Sequence, residues 1–132
     1  LSNQELAARV GIAPSTCHGR VKHLEERGVI RGYRAVVDPE ALGYGVQTLI
    51  FLQIQQHQRD LVPEVAEKLK RVRGVRQVFL IGGTTDIVLH VAQASVRDIR
   101  NFIAEELGTN PVLSASQTQL AFEHYEGVGP LF

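Results

Sequence analysis

The chain has 132 residues, 44% hydrophobic and 21% charged, which suits one compact domain or two small ones and is too apolar for a disordered segment. Fourteen Lys/Arg balance fourteen Asp/Glu. The balance is uneven along the chain, because Arg9, Arg20, Lys22, Arg27, Arg31 and Arg34 outnumber Glu5, Glu25 and Glu26 over residues 1–34 and the remainder is acidic, as expected of a DNA-binding end joined to a non-binding body. The single cysteine, Cys17, excludes an intrachain disulfide framework and fits a reducing cytoplasm; no signal peptide is visible and no apolar run approaches the roughly 20 residues of a membrane helix.

Ser2 and Glu5 form an S-x-x-E capping-box pattern, and Leu6, Ala7 and Val10 follow at helical spacing. Gly11 stops that helix, since glycine enters the left-handed region cheaply. Pro14 suits the first turn of a second helix, Cys17, Val21 and Leu24 form its inward stripe, and Gly28 ends it. Two short helices meeting at a tight turn read as a helix-turn-helix, in which one helix braces and the other enters a DNA groove. Val29-Ile30, Gly32-Tyr33 and Ala35–Val37 are expected as two short strands around a turn, a wing beside the helices. Asp38-Pro39 breaks the run, and Glu40–Gly45, with two glycines, is expected as a linker or hinge. The chain begins at Leu1 with no initiator Met, inside what reads as an unfinished domain, so preceding residues are expected.

The second part has a regular rhythm. Strands are expected over Thr48–Ile54, Val75–Ile81 and Asp86–Ala92 and within Val112–Tyr125, with helices over Leu61–Val72 and Val96–Leu107. The order β-α-β-β-α-β is the ferredoxin-like arrangement. The fold class is therefore α+β, with a partial winged helix-turn-helix over residues 1–39, a linker over 40–45 and a ferredoxin-like domain over 46–132. Leu49–Leu52, Val78–Ile81 and Ile87–Leu89 are apolar at consecutive positions, whereas a strand with one wet face alternates. Two helices cover one face of such a sheet. The other face needs cover, most simply a second copy, so a homodimer built sheet against sheet is expected.

On the second helix, Ser15, Thr16, His18, Gly19, Arg20, Lys22 and His23 are left on the open side. Ser15 and Thr16 sit at the helix N-terminus, where backbone N–H groups and short hydroxyls hold phosphates. Arg20 and Lys22 neutralise phosphates, and Arg also grips guanine with two hydrogen bonds. Gly19 costs the helix about 1 kcal/mol relative to Ala but permits close approach to DNA. Cys17, facing inward, reads as a small core filler. Gly82-Gly83-Thr84-Thr85-Asp86 admits two readings. Glycine backbone N–H groups hold a carboxylate and Asp86 accepts from an ammonium group, the two charged ends of an amino acid; by themselves, however, these residues point to an ordinary hairpin turn. His57, His90 and His124 are too far apart for a local metal motif, no metal site is expected, and no H-x-x-x-H, C-x-x-C, G-x-S-x-G or phosphate-binding glycine loop occurs. Asp98, Glu105 and Glu106 are expected to face solvent.

The segments LS-x-x-ELA, VG-I-x-PST, R-V-x-x-LE-x-x-GVI-x-GY and DP-x-x-LG, followed by the G-x-x-D of Gly83–Asp86, make the chain resemble the Lrp/AsnC (leucine-responsive/asparagine, feast/famine) regulators over essentially its whole length. The resemblance implies a prokaryotic, cytoplasmic transcription factor that binds double-stranded DNA and uses no cofactor. It implies sheet-paired homodimers, often assembled into rings such as octamers, and a small-molecule effector, usually an amino acid. It also turns the reading of Gly82–Asp86 toward an effector loop near a dimer–dimer contact, with Ser116 and Thr118 as a polar T-x-T pair lining the same pocket and Ser114 a further candidate. A helix ahead of Ser2 belongs to the pattern and is absent from this chain. The alternative is an enzyme on the same scaffold, similar to the sirohaem decarboxylases, in which His90 or His124 would meet the substrate.

Overall fold

Residues Leu1–Val36 and Val37–Phe132 cluster as two separate units in the computed structural model, which describes residues 1–131. In the first unit, α1 spans Asn3–Val10 and α2 spans Pro14–Glu26. The capping box is present: the Glu5 N–H donates to Ser2 Oγ and the Ser2 N–H donates to Glu5 Oε2, each at 3.1 Å. Gly11 closes α1 at φ 73°, the left-handed conformation that a side chain would resist. Asn3 Nδ2 donates to the Pro14 carbonyl at 2.9 Å and so ties the start of one helix to the start of the other. Ala7 and Cys17 are the buried apolar residues here, while Val21 is half-buried and Leu24 sits at 36% exposure. Two short helices enclose only what lies directly between them, so the outer half of the expected stripe stays partly wet.

The wing strands expected over residues 29–37 do not form. No ladder runs through this segment; Val29 and Ile30 donate instead to the Leu24 carbonyl, and Val29, Tyr33 and Val36 are 65, 74 and 91% exposed. A lone two-stranded ribbon with no apolar surface beneath it is marginal in water. The expected hinge is also more ordered than its glycines suggest. Asp38 Oδ1 accepts from the Glu40 N–H at 3.0 Å, and the Pro39 carbonyl accepts from Leu42 and Tyr44, which folds residues 38–44 into a closed turn.

The second unit is built as expected in order and type. Strand β1 (Val46–Ile54) is followed by a 3-10 turn (Gln56–Leu61), α3 (Val62–Leu69), β2 (Val75–Leu80), β3 (Ile87–Gln93), α4 (Val96–Phe102) with a π-turn extension to Leu107, and β4 (Leu113–Ala121). The sheet order is β2-β3-β1-β4 and every pair is antiparallel. Pro63 sets the start of α3, since proline fits only the first turn of a helix. Ile50, Leu52, Ile54, Ile87, Leu89 and Val91 pack against Val65, Leu69, Ile99, Phe102 and Leu107 to make one core on the helical side.

The opposite face is uncovered by helices. Its residues in register are Gln47, Leu49, Phe51 and Gln53 on β1, Gln77 and Phe79 on β2, Val88, His90 and Ala92 on β3, and Ala115, Gln117, Gln119 and Ala121 on β4. Leu49 and Phe79 are 37 and 49% exposed. This face has an apolar centre with a glutamine rim, and none of these positions carries a permanent charge. Sheet surfaces that remain in water are normally protected by charged side chains.

Candidate functional site

The proposed reading helix presents Ser15, Thr16, His18, Gly19, Arg20, Lys22 and His23, and all seven are exposed. Their common exposure follows from the burial of Cys17, which fixes the rotation of α2 about its axis. Ala13 caps this helix with its backbone extended and without a side-chain hydrogen bond, so the first N–H groups beside Ser15 and Thr16 remain open to an acceptor such as a phosphate. A methyl group built on Gly19 would meet nothing within 4 Å. Packing inside the chain therefore does not require glycine there, and the helix-weakening residue is unexplained by the fold alone.

The loop between β2 and β3 is closed by the Ile81 N–H donating to the Asp86 carbonyl at 3.0 Å, and Gly83 takes φ 108°. Gly82, Gly83 and Thr84 are exposed at its tip, Thr85 is half-buried and Asp86 is buried. The Asp86 carboxylate serves its own chain. Oδ2 accepts from the Ile54 N–H and Oδ1 from Arg59 Nη2, each at 2.8 Å. Each oxygen keeps a second lone pair, but an incoming ammonium group would have to share this acceptor. Gln53 Nε2 donates to the Thr84 carbonyl at 2.9 Å and steadies the loop from the neighbouring strand.

Thr85 and Ser116 border one small cavity of about 150 Å³, together with Phe51, Gln53, Ala115 and Gln117. Thr118 does not line it; its register partner is Ile50, two residues before the Leu52 that pairs with Ser116. Ser114 donates to the Gln53 carbonyl at 3.3 Å. The cavity is below the ~300 Å³ at which small-molecule sites usually begin. A larger hollow of about 550 Å³, bordered by Tyr44, Arg73, Gln93, Asp98, Glu105 and Glu106, adjoins the opposite end of β3 from Asp86 and includes none of the loop residues. Asp98 and Glu106 there are half-buried and Glu105 is exposed.

Sequence reading missed Arg59 and Gln53, which lie 27 and 31 residues from their loop partners and carry no local motif. It also missed a pairing of histidines. His90 and His124, 34 positions apart in sequence, bring their rings to 5.1 Å between centroids at an interplanar angle of 73°. Among the described residues no group of three or more His, Cys, Asp or Glu is placed to hold a metal ion, and no helix is long and apolar enough to cross a membrane.

Asp86→Ala is expected to lower folding stability by about 2 kcal/mol, since it strands the buried Ile54 N–H and removes the partner of Arg59. Asp86→Asn retains an acceptor and is expected to lose less. Denaturant midpoints measure both, and an alanine variant as stable as wild type would refute the structural role.

Residues 1–31 match the winged helix-turn-helix DNA-binding family, and residues 47–128 match the Lrp/AsnC ligand binding domain. The HTH-type transcriptional regulator AldR of Mycobacterium tuberculosis is 40% identical over 131 residues, covering 99% of this chain and 73% of AldR. The crystal structure of MtbAldR superposes with a TM-score of 0.80 at 38% identity, covering 98% of this chain and 88% of that one. The transcriptional regulator NMB0573 of Neisseria meningitidis, solved as its L-Met complex, gives a TM-score of 0.84 at 26% identity, covering 96% and 82%.

Proposed function

We propose, from the premise that the chain belongs to the Lrp/AsnC family of transcriptional regulators, that α2 reads the DNA major groove while the βαββαβ unit pairs with a second copy and binds an amino acid at the Gly82–Asp86 loop. The chain is a transcriptional regulator with a helix-turn-helix for DNA and an Lrp/AsnC ligand-binding domain; the decarboxylase alternative gives way to this, because the relatives are named as regulators. The finer assignments are our reading. The single observation that carries it is the uninterrupted exposed polar side of α2, Ser15 to His23, opposite a buried Cys17.

In this reading Arg20 and Lys22 neutralise phosphates, Ser15 and Thr16 receive a phosphate at the helix N-terminus, and Gly19 lets the backbone approach the duplex. His18 and His23 supply polar contacts. Residues 1–39 act as the DNA-binding domain and 46–132 as the sensor, joined through 40–45. The open face of the sheet, whose register positions hold no Lys, Arg, Asp or Glu, supports pairing of two copies, which sets two α2 helices on successive half-sites. Dimers then assemble further, and the effector lies where one subunit's partial cavity of Thr85 and Ser116 is completed by another. Gly82, Gly83 and Thr84 offer backbone and hydroxyl groups to the carboxylate, with Asp86 and Thr118 on the flanks. The L-Met bound by NMB0573 supports an amino acid as the effector class. In this reading the regulator acts in the cytoplasm, where its DNA lies. For the ligand to change assembly, it must bind the two assembled forms with different affinity.

A calorimetric screen of the twenty amino acids, run with light scattering, tests the sensor assignment. At least one amino acid is expected to bind and shift the assembly state. Binding by none of them would remove the amino-acid reading.

A further inference from the structure

His90 is a buried titratable side chain on the open face of the sheet. Its neighbours along β3, Leu89 and Val91, are fully buried toward the helices, so the ring between them faces the other way. It is 6% exposed, and its register partners are Leu49 on β1 and Gln77 on β2. Nε2 lies 2.6 Å from Gln47 Oε1. An amide oxygen can only accept, so that contact fixes the proton of the neutral ring on Nε2. The edge-on ring of His124, from the segment after β4, completes the cluster.

The surroundings resist a second proton. Burial, then His124, then Arg76 each hold the His90 pKa below the ordinary imidazole value. Neither His124 nor Arg76 offers a negative charge, and Gln47 is neutral. Among the described residues no carboxylate is part of the cluster.

We propose that His90, with Gln47 and His124, makes the pairing of two copies through this face proton-dependent, the paired form holding the imidazole neutral and mild acid separating the copies. This rests on the sheet-pairing reading given above. Closing a second copy over Leu49, Phe51 and Phe79 removes the water that would solvate an imidazolium, and a dimer does so at two His90 rings. The separated chain therefore takes up protons that the dimer excludes. By linkage, dissociation is favoured as pH falls toward the lowered pKa that His90 has in the separated chain, and pairing is unaffected well above it. Folding of the subunit follows the same sign. Below about pH 6.5 the unfolded chain gains a proton that the folded one resists, so stability declines as pH falls from there toward the folded pKa.

Sedimentation of the whole protein from about pH 8 to about pH 5.5 tests this with wild type, His90→Gln and His124→Gln. The wild-type dimer dissociation constant is expected to rise by about tenfold or more, which two rings supply together when each differs by about half a pKa unit between the paired and separated states. His90→Gln is expected to give a nearly flat profile and His124→Gln a shallower one. A flat wild-type profile, or a His90→Gln profile as steep as wild type, overturns the proposal. Proton NMR titration of the wild-type imidazoles adds a direct readout: His90 must titrate lower in the dimer than in a monomeric Leu49→Gln chain, which places no charge beside the ring, and equal values overturn it. A chain that is monomeric at every pH, or a Leu49→Asp chain that still pairs, removes the sheet-pairing reading itself and the proposal with it. The first group of failures leaves that reading standing.

Discussion

The double substitution Arg20→Ala, Lys22→Ala is expected to cut the affinity of the full-length regulator for its DNA by about a hundredfold at low salt. Both side chains are exposed on α2 and make no ion pair within their own chain among the described residues, so their removal should leave folding nearly unchanged. Lys22 contributes a phosphate contact, whose loss weakens all sequences alike and reduces the slope of log affinity against log salt by about one for each contact removed. Arg20 can also grip guanine through two hydrogen bonds, worth about 1–3 kcal/mol of discrimination. The two single variants should therefore differ. Lys22→Ala lowers specific and non-specific binding together, while Arg20→Ala also narrows the gap between them. Fluorescence anisotropy over a salt series measures both effects, and binding curves that overlay wild type would remove these residues from the contact surface.

The second large effect is expected at the sheet's open face. Leu49→Asp should convert the dimer to monomer, raising the dissociation constant by at least about a hundredfold. Leu49 is 37% exposed in the single subunit, so a carboxylate there can remain hydrated and the subunit should keep its circular dichroism spectrum. Pairing would desolvate one such carboxylate on each copy with no Lys or Arg among its register partners, which at neutral pH and above is strongly unfavourable. Because DNA reading by a dimer needs two α2 helices at once, the same variant should lose most of its specific affinity while retaining a weaker, salt-sensitive association. A variant that sediments as wild type would place the pairing surface elsewhere.

Periodicity made the second unit legible. Apolar runs of strand length alternated with helical spacings, and the resulting βαββαβ order is the one observed. The capping box at Ser2 and Glu5 and the stop at Gly11 are local chemistry and were equally readable. What failed to show in the sequence depends on distant partners. Val29 to Val37 has strand-forming composition but no surface to pack on, so its wing strands are absent. Glu40–Gly45 reads as flexible from its two glycines, whereas Asp38 and Pro39 close it into a turn.

The Gly82–Asp86 loop shows the same division. Its glycines and its closing aspartate are visible as a turn. That Asp86 is already engaged by the Ile54 N–H and by Arg59 is settled only when β1 and the following 3-10 turn come together. Likewise Thr85 and Ser116 meet at one cavity because β1 lies between β3 and β4, and Thr118, on the same strand as Ser116, falls outside it. His90 and His124 gave no motif, and antiparallel pairing with a returning C-terminal segment brings them into contact.

The most direct test of the central claim is selection of duplex fragments by the full-length protein, followed by titration of the retained duplex and a scrambled one over a salt series. The account predicts a retained sequence bound well above the scrambled duplex, with affinity that falls steeply as salt rises. Failure to retain any fragment, even in dilute buffer, would contradict it.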